Sequence, residues 1–135
     1  MSNLNRLKSA YAAWNETKGA SRDVWAALMA ERFHLQHVDE TSPGLGFAKD
    51  SLSRDEALGY LTAIFADWEM EHYTPEVWVG DGDTIAMFGK SAFRHKGTGK
   101  SAEMRMGVLW QFKGDQAISL TEIFDTAVAV RAATP

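Results

Sequence analysis

The chain contains no cysteine, which removes both a disulfide framework and a thiolate metal site. It has only three prolines and no Pro-rich linker. No apolar run approaches the ~18–20 residues that a membrane span needs. The first residues, Met1-Ser2-Asn3-Leu4-Asn5-Arg6, lack the basic-then-apolar order of a signal peptide. A cytoplasmic protein with no membrane partner is the expectation. Positive charge is also scarce: the net charge is −4, with acids and bases interspersed. Lys90, Arg94, Lys96 and Lys100 make the densest basic cluster. Four charges around one hairpin suit a solvated strand edge better than a nucleic-acid footprint, so no nucleic-acid partner is expected.

A chain of 135 residues fits one domain, here 1–135, large enough to fold without a staple. Its first part reads as helix. Leu4, Leu7, Tyr11 and Trp14 recur at spacings of three and four behind a capping Ser2. Ser21 opens a second helix with Val24 and Leu28 inward. A strand follows over 33–39, with Phe33, Leu35, His37 and Asp39 on one face. Residues 41–53 read as a loop, either a cover for a site or a plain connection. Ser53-Arg54-Asp55-Glu56 is a capping box, and the third helix behind it runs to about Met70. Four strands then fill 74–125, separated by turns at 80–83, 97–99 and 113–116. The expected class is α+β: three N-terminal helices on a curved antiparallel sheet that encloses an apolar pocket.

Strand parity assigns the faces. Met104, Met106, Val108, Trp110 and Phe112 share one side of the third of these strands, facing the helices. The second is apolar on both sides, with Ile85 and Met87 opposite Ala86 and Phe88. A sheet with one solvated face alternates more cleanly, so a homodimer packed through the outer face is expected.

This order of elements resembles the nuclear transport factor 2-like superfamily, and within it the SnoaL-like polyketide cyclases and ketosteroid isomerases. The local matches are Leu28-Met29-Ala30-Glu31-Arg32-Phe33, Val108-Leu109-Trp110-Gln111-Phe112-Lys113-Gly114 and the run from Ile118 to Asp125. The resemblance implies a cystatin-like cone with helices capping the concave side. Dimerisation through the outer sheet face is implied as well. Matched without gaps, it places His37 where the isomerases carry their aspartate base, and Tyr11 close to their oxyanion-stabilising tyrosine. Val108 falls where they carry a protonated acid. A valine cannot donate a hydrogen bond, so classical ketosteroid isomerase activity is expected to be weak or absent. A match on Glu-Ile-Phe-Asp brings Asp125 to the region of the cyclases' acid/base.

The catalytic candidates are therefore His37, Asp39, Tyr11 and Asp125. Each has a plain structural alternative: a core histidine, a solvated strand-end carboxylate, a packed tyrosine and a capping aspartate. Residues placed along the pocket are Trp14, Phe33, Leu35, Phe65 and Trp68 on the helical side. On the sheet side they are Met104, Met106, Val108, Trp110, Thr121 and Ile123. The Glu103–Arg105 pair belongs to the opposite face. No metal set converges, and no cofactor is expected. The reading is a small enzyme that moves a proton on a hydrophobic carbonyl compound, as isomerase, cyclase or hydratase. The alternatives are a non-catalytic module that holds a small apolar or aromatic ligand, and an interaction domain whose pocket is filled by its own side chains.

Overall fold

The computed structural model describes residues 1–38 and 41–135. Helices α1 (Asn3–Glu16) and α2 (Arg22–Leu28) lead directly into strand β1 (Met29–Gln36). Helix α3 (Arg54–Asp67) precedes four long strands: β2 (Trp68–Asp81), β3 (Thr84–His95), β4 (Ser101–Lys113) and β5 (Gln116–Phe124). Helix α4 (Thr126–Ala133) follows. The sheet order is β1-β5-β4-β3-β2.

Two of the three expected serine caps form. The Ser2 side chain accepts from the Asn5 N–H, and the Ser53 side chain accepts from Glu56 N–H at 3.2 Å and donates to the Glu56 carboxylate at 3.2 Å. Ser21 makes no side-chain cap at α2, and its hydroxyl is buried without a partner. Four further features differ from the sequence expectation. First, β1 starts four residues earlier than expected. Second, it pairs in parallel with β5, so the sheet is mixed rather than wholly antiparallel. That pairing joins segments some eighty residues apart, and no local pattern encodes it. Third, α3 stops at Asp67, so Trp68 and Met70 open β2 instead of closing the helix. Fourth, the sequence Thr-Ala-Val-Ala-Val-Arg-Ala-Ala forms a helix, α4. Its alternating valines lack a strong helical period, but Asp125 caps it by accepting from the Val128 N–H at 3.2 Å.

Bulges curve the sheet. They lie in β2 between Met70 and His72 and again between Pro75 and Val77. Inside the curve, Leu7, Phe33, Leu35, Ile85, Met87 and Trp110 are almost wholly buried. Each contributes roughly 1.5–3 kcal/mol of apolar transfer energy. Helix α1 is tied to the sheet at both ends. The Asn3 amide donates to the Gly82 and Gly114 carbonyls, at 3.0 and 2.9 Å, in two hairpin turns. The Asn15 side chain accepts from the Tyr73 N–H at 2.7 Å. Those ties set the height at which Tyr11 enters the core.

The open end of the cone is covered by segment 41–53 and by α4. Leu45 is fully buried in that segment, and Ser51 pairs with Leu35 across an isolated bridge. The two covers meet at Gly44, where an added Cβ would lie 2.4 Å from the Ala133 Cβ and the backbone has φ +79°. Only glycine fits that approach. Further ties run from Thr98 to the Ala132 carbonyl, and from the Lys100 ammonium to the Thr134 carbonyl at 2.7 Å.

Candidate functional site

Two adjoining hollows of about 50 Å³ each lie between the helices and the concave sheet face. They share Tyr60, Ile64, Tyr73, Phe93 and Glu122. The inner one also touches Tyr11, Trp14, Trp25, Leu35 and Trp110. The outer one runs past Trp68, Met104 and Met106 to Phe47, Phe124 and Ala129, under the two covers. A water needs roughly 10–15 Å³ on this scale. Each hollow therefore takes a few waters or one small ring, not the roomy cavity expected of the cone. The cause is aromatic filling: Tyr11 and Tyr73 stack with centroids 5.5 Å apart, and Trp25 and Trp110 stack at 5.5 Å.

Among the described residues, Glu122 is the only charged one on either hollow, and sequence reasoning missed it. Its side chain is 17% exposed. Burial raises its carboxyl pKa above the ordinary 4.5, against the opposing pull of His37 and the Tyr60 hydrogen bond. The Tyr60 hydroxyl donates to Glu122 Oε2 at 3.4 Å. His37 stands behind Glu122, away from the hollows. Its side chain is fully buried, and Nε2 lies 3.9 Å from Glu122 Oε1 with no hydrogen-bond partner. Its other nitrogen, Nδ1, lies 3.2 Å from the Lys49 carbonyl. A carbonyl only accepts, so Nδ1 carries a proton, and Nε2 is the nitrogen turned toward the carboxyl group. The backbone N–H of His37 donates to Asp50 at 2.9 Å. Segment 41–53 thus holds this histidine through two contacts.

Tyr11 is buried at the inner hollow. Its oxygen accepts from Trp110 Nε1 at 3.0 Å, with Tyr73 as a further polar partner. Burial raises the hydroxyl pKa values of Tyr11, Tyr60 and Tyr73, and the Glu122 charge raises each further. All three stay protonated, and the Tyr11 proton is not used by Trp110.

Of the other residues picked from sequence, Trp14, Leu35, Trp68, Met104, Met106 and Trp110 line a hollow. Phe33 and Val108 are buried beneath them in the core. Phe65 packs on Trp14 at 5.7 Å and fronts a separate surface groove instead. Thr121 and Ile123 do not line the site. Thr121 donates to Gln36 at 3.1 Å, and Ile123 is 51% exposed on the convex face. The cause is a β-bulge. Phe112 pairs with Ala117, but Gln111 pairs with Ser119, so Ile118 is an extra residue in β5. One inserted residue turns every later side chain over, and Leu120, Glu122 and Phe124 face inward instead. Asp125 is exposed at the α4 cap, outside the hollows. Asp39 lies outside the described residues.

No curated protein sequence matches the chain. Several solved structures share its fold. An NTF2-like protein from Burkholderia thailandensis superposes with a TM-score of 0.84 at 18% identity, covering 100% of this chain and 99% of that one. TerC, co-crystallised with polyporic acid, superposes at 0.76 with 16% identity and 97% coverage of each. A protein of ketosteroid isomerase-like fold from Catenulispora acidiphila, in complex with trimethylamine, superposes at 0.75 with 15% identity, covering 96% and 97%. At such identities the likeness establishes the cone fold alone. The sequence model of the SnoaL-like domain matches residues 7–120, and the chain belongs to the SnoaL-like domain family.

Proposed function

We propose that the chain is a cofactor-free enzyme that moves a proton on a small hydrophobic carbonyl compound, as an isomerase, cyclase or hydratase. One observation carries this reading: a fully buried histidine nitrogen with no partner, 3.9 Å from a carboxylate that faces an apolar hollow. Glu122 is the group that meets the substrate. Its raised pKa brings it toward the range where a carboxylate accepts a proton from carbon and returns it. His37 Nε2 takes the proton from Glu122 and gives it back, while the Lys49 carbonyl holds its tautomer. Tyr11 donates its free proton to the substrate oxygen as negative charge develops there. Solved relatives hold polyporic acid and trimethylamine, so the fold accepts small ligands of different character, and this chain's own lining sets its choice.

The test is hydrogen–deuterium exchange at the α-carbon of small cyclic ketones in D₂O, followed by NMR. Exchange above the buffer rate is expected, falling ~100-fold or more in Glu122→Gln and less in His37→Ala. Saturable ligand binding with no exchange in any ketone would replace this reading with a binding module.

A second reading, a dimeric interaction domain with a filled core, is favoured by the size of the hollows, since ligand sites commonly reach ~300 Å³ or more. The convex face suits a second copy of the chain. Val77, Phe88, Gly107 and Ile123 align in one cross-strand row there, and Val79, Ala86, Leu109 and Thr121 in the next. Val77, Val79, Phe88 and Ile123 are each at least half exposed. Sedimentation should show a dimer that Phe88→Glu converts to monomer. Wild-type protein that is monomeric at micromolar concentration removes this part of the proposal.

A further inference from the structure

The inner hollow is lined by a residue whose buried polar atom has no partner and no part in the proton-transfer scheme. Trp25, on α2, lines it and is 4% exposed. Its indole Nε1 is buried and has no hydrogen-bond partner. A buried donor left unpaired costs roughly 1–3 kcal/mol, and an indole N–H can only donate. Leucine or phenylalanine would fill the same space without that cost. The contrast with Trp110 is direct, because its Nε1 meets the Tyr11 oxygen at 3.0 Å. Trp25 is fixed as firmly. Its ring stacks on Trp110 at 5.5 Å, with planes 10° apart, and meets the Tyr11 ring edge-on at 4.8 Å.

Two residues that carry donors therefore border this hollow with their rings 4.8 Å apart: Tyr11, whose proton is unused by Trp110, and Trp25. Among the described residues no lysine or arginine lines the hollow, and Glu122 is an acid. An anionic ligand is disfavoured by that charge. A neutral compound with one exposed oxygen acceptor satisfies both donors and leaves the rest of the wall apolar. We infer that the Trp25 indole N–H is the second hydrogen-bond donor to the oxygen of a neutral carbonyl ligand, beside the Tyr11 hydroxyl. This inference rests on the carbonyl reading above.

The experiment is a ¹H–¹⁵N spectrum of the five indole N–H groups during titration with cyclohexanone, with cyclohexane as the oxygen-free control. Trp25→Phe identifies the Trp25 signal by its loss. The Trp25 proton is expected to move downfield, saturably, with cyclohexanone and not with cyclohexane. Trp25→Phe should weaken cyclohexanone about five- to tenfold and leave cyclohexane binding unchanged. The wild-type titration decides the matter even if the variant does not fold. If cyclohexanone moves the Trp14 or Trp110 signals while Trp25 responds as it does to cyclohexane, the Trp25 inference fails and the carbonyl reading stands. If cyclohexanone moves no indole signal, both fail.

Discussion

The two faces of the sheet are built from neighbouring residues and end in opposite surroundings. On the concave side of β5, Leu120, Glu122 and Phe124 meet Trp110, Val108 and Met106 of β4. On the convex side, Thr121 and Ile123 join a band of valine, leucine and phenylalanine open to solvent. Among the described residues, the hollows of the concave face hold a single carboxylate among rings. The convex face is the more uniformly apolar at its centre, with ion pairs such as Glu76–Arg105 and Glu69–Arg94 at 3.4 and 2.8 Å toward its edges. The proposed chemistry draws on the isolated charge, and the proposed association on the continuous apolar surface.

One inserted residue separates these outcomes, and adding a second is the severest test. Inserting an alanine between Ser119 and Leu120 moves every later side chain by one place and turns Leu120, Glu122 and Phe124 outward. The loss should exceed ~5 kcal/mol and abolish cooperative unfolding, as read by denaturant titration. An insertion variant of wild-type stability would show that register in β5 is set elsewhere. A gentler change isolates the charge. Burial raises the Glu122 pKa, so the fold favours the neutral acid. Stability from this group is full below the ordinary value of 4.5 and is lost as pH rises through the raised folded value. Glu122→Gln stays neutral. It should be more stable than wild type by about 1–2 kcal/mol at pH 8, and equal to it at pH 4. Equal melting curves at both pH values would mean that the carboxylate is well solvated. The smallest effect lies outside both faces. Asp125→Ala removes a helix cap and should cost about 1 kcal/mol. It should leave ketone exchange intact, and a large loss of exchange would return Asp125 to the site.

The parts of this molecule that are legible in the sequence are those that local physics controls. Ser53 and Glu56 announce α3, and Ser2 announces α1. The alternation from Met104 to Phe112 gives the inner face of β4, because a strand without bulges keeps its parity. His37 follows from Phe33 and Leu35 by the same rule. Glu122 was hidden for the converse reason. A turn at Gly114 sets a register that puts Thr121 and Ile123 inside, and only the pairing of Gln111 with Ser119 reveals the inserted Ile118. Trp25 could have been found from its place beside Leu28 on α2, but its unpaired N–H depends on Tyr11, Trp110 and the packing of three elements.

The meeting of Gly44 with Ala133 has a consequence for how the protein is made. The helix that roofs the hollow is translated after every strand beneath it. The sheet can therefore curl over α1–α3 with the mouth of the outer hollow still open, and the wall closes only when α4 emerges and finds the loop laid down about ninety residues earlier. For that interval the nascent chain exposes the apolar lining of the outer hollow to its surroundings.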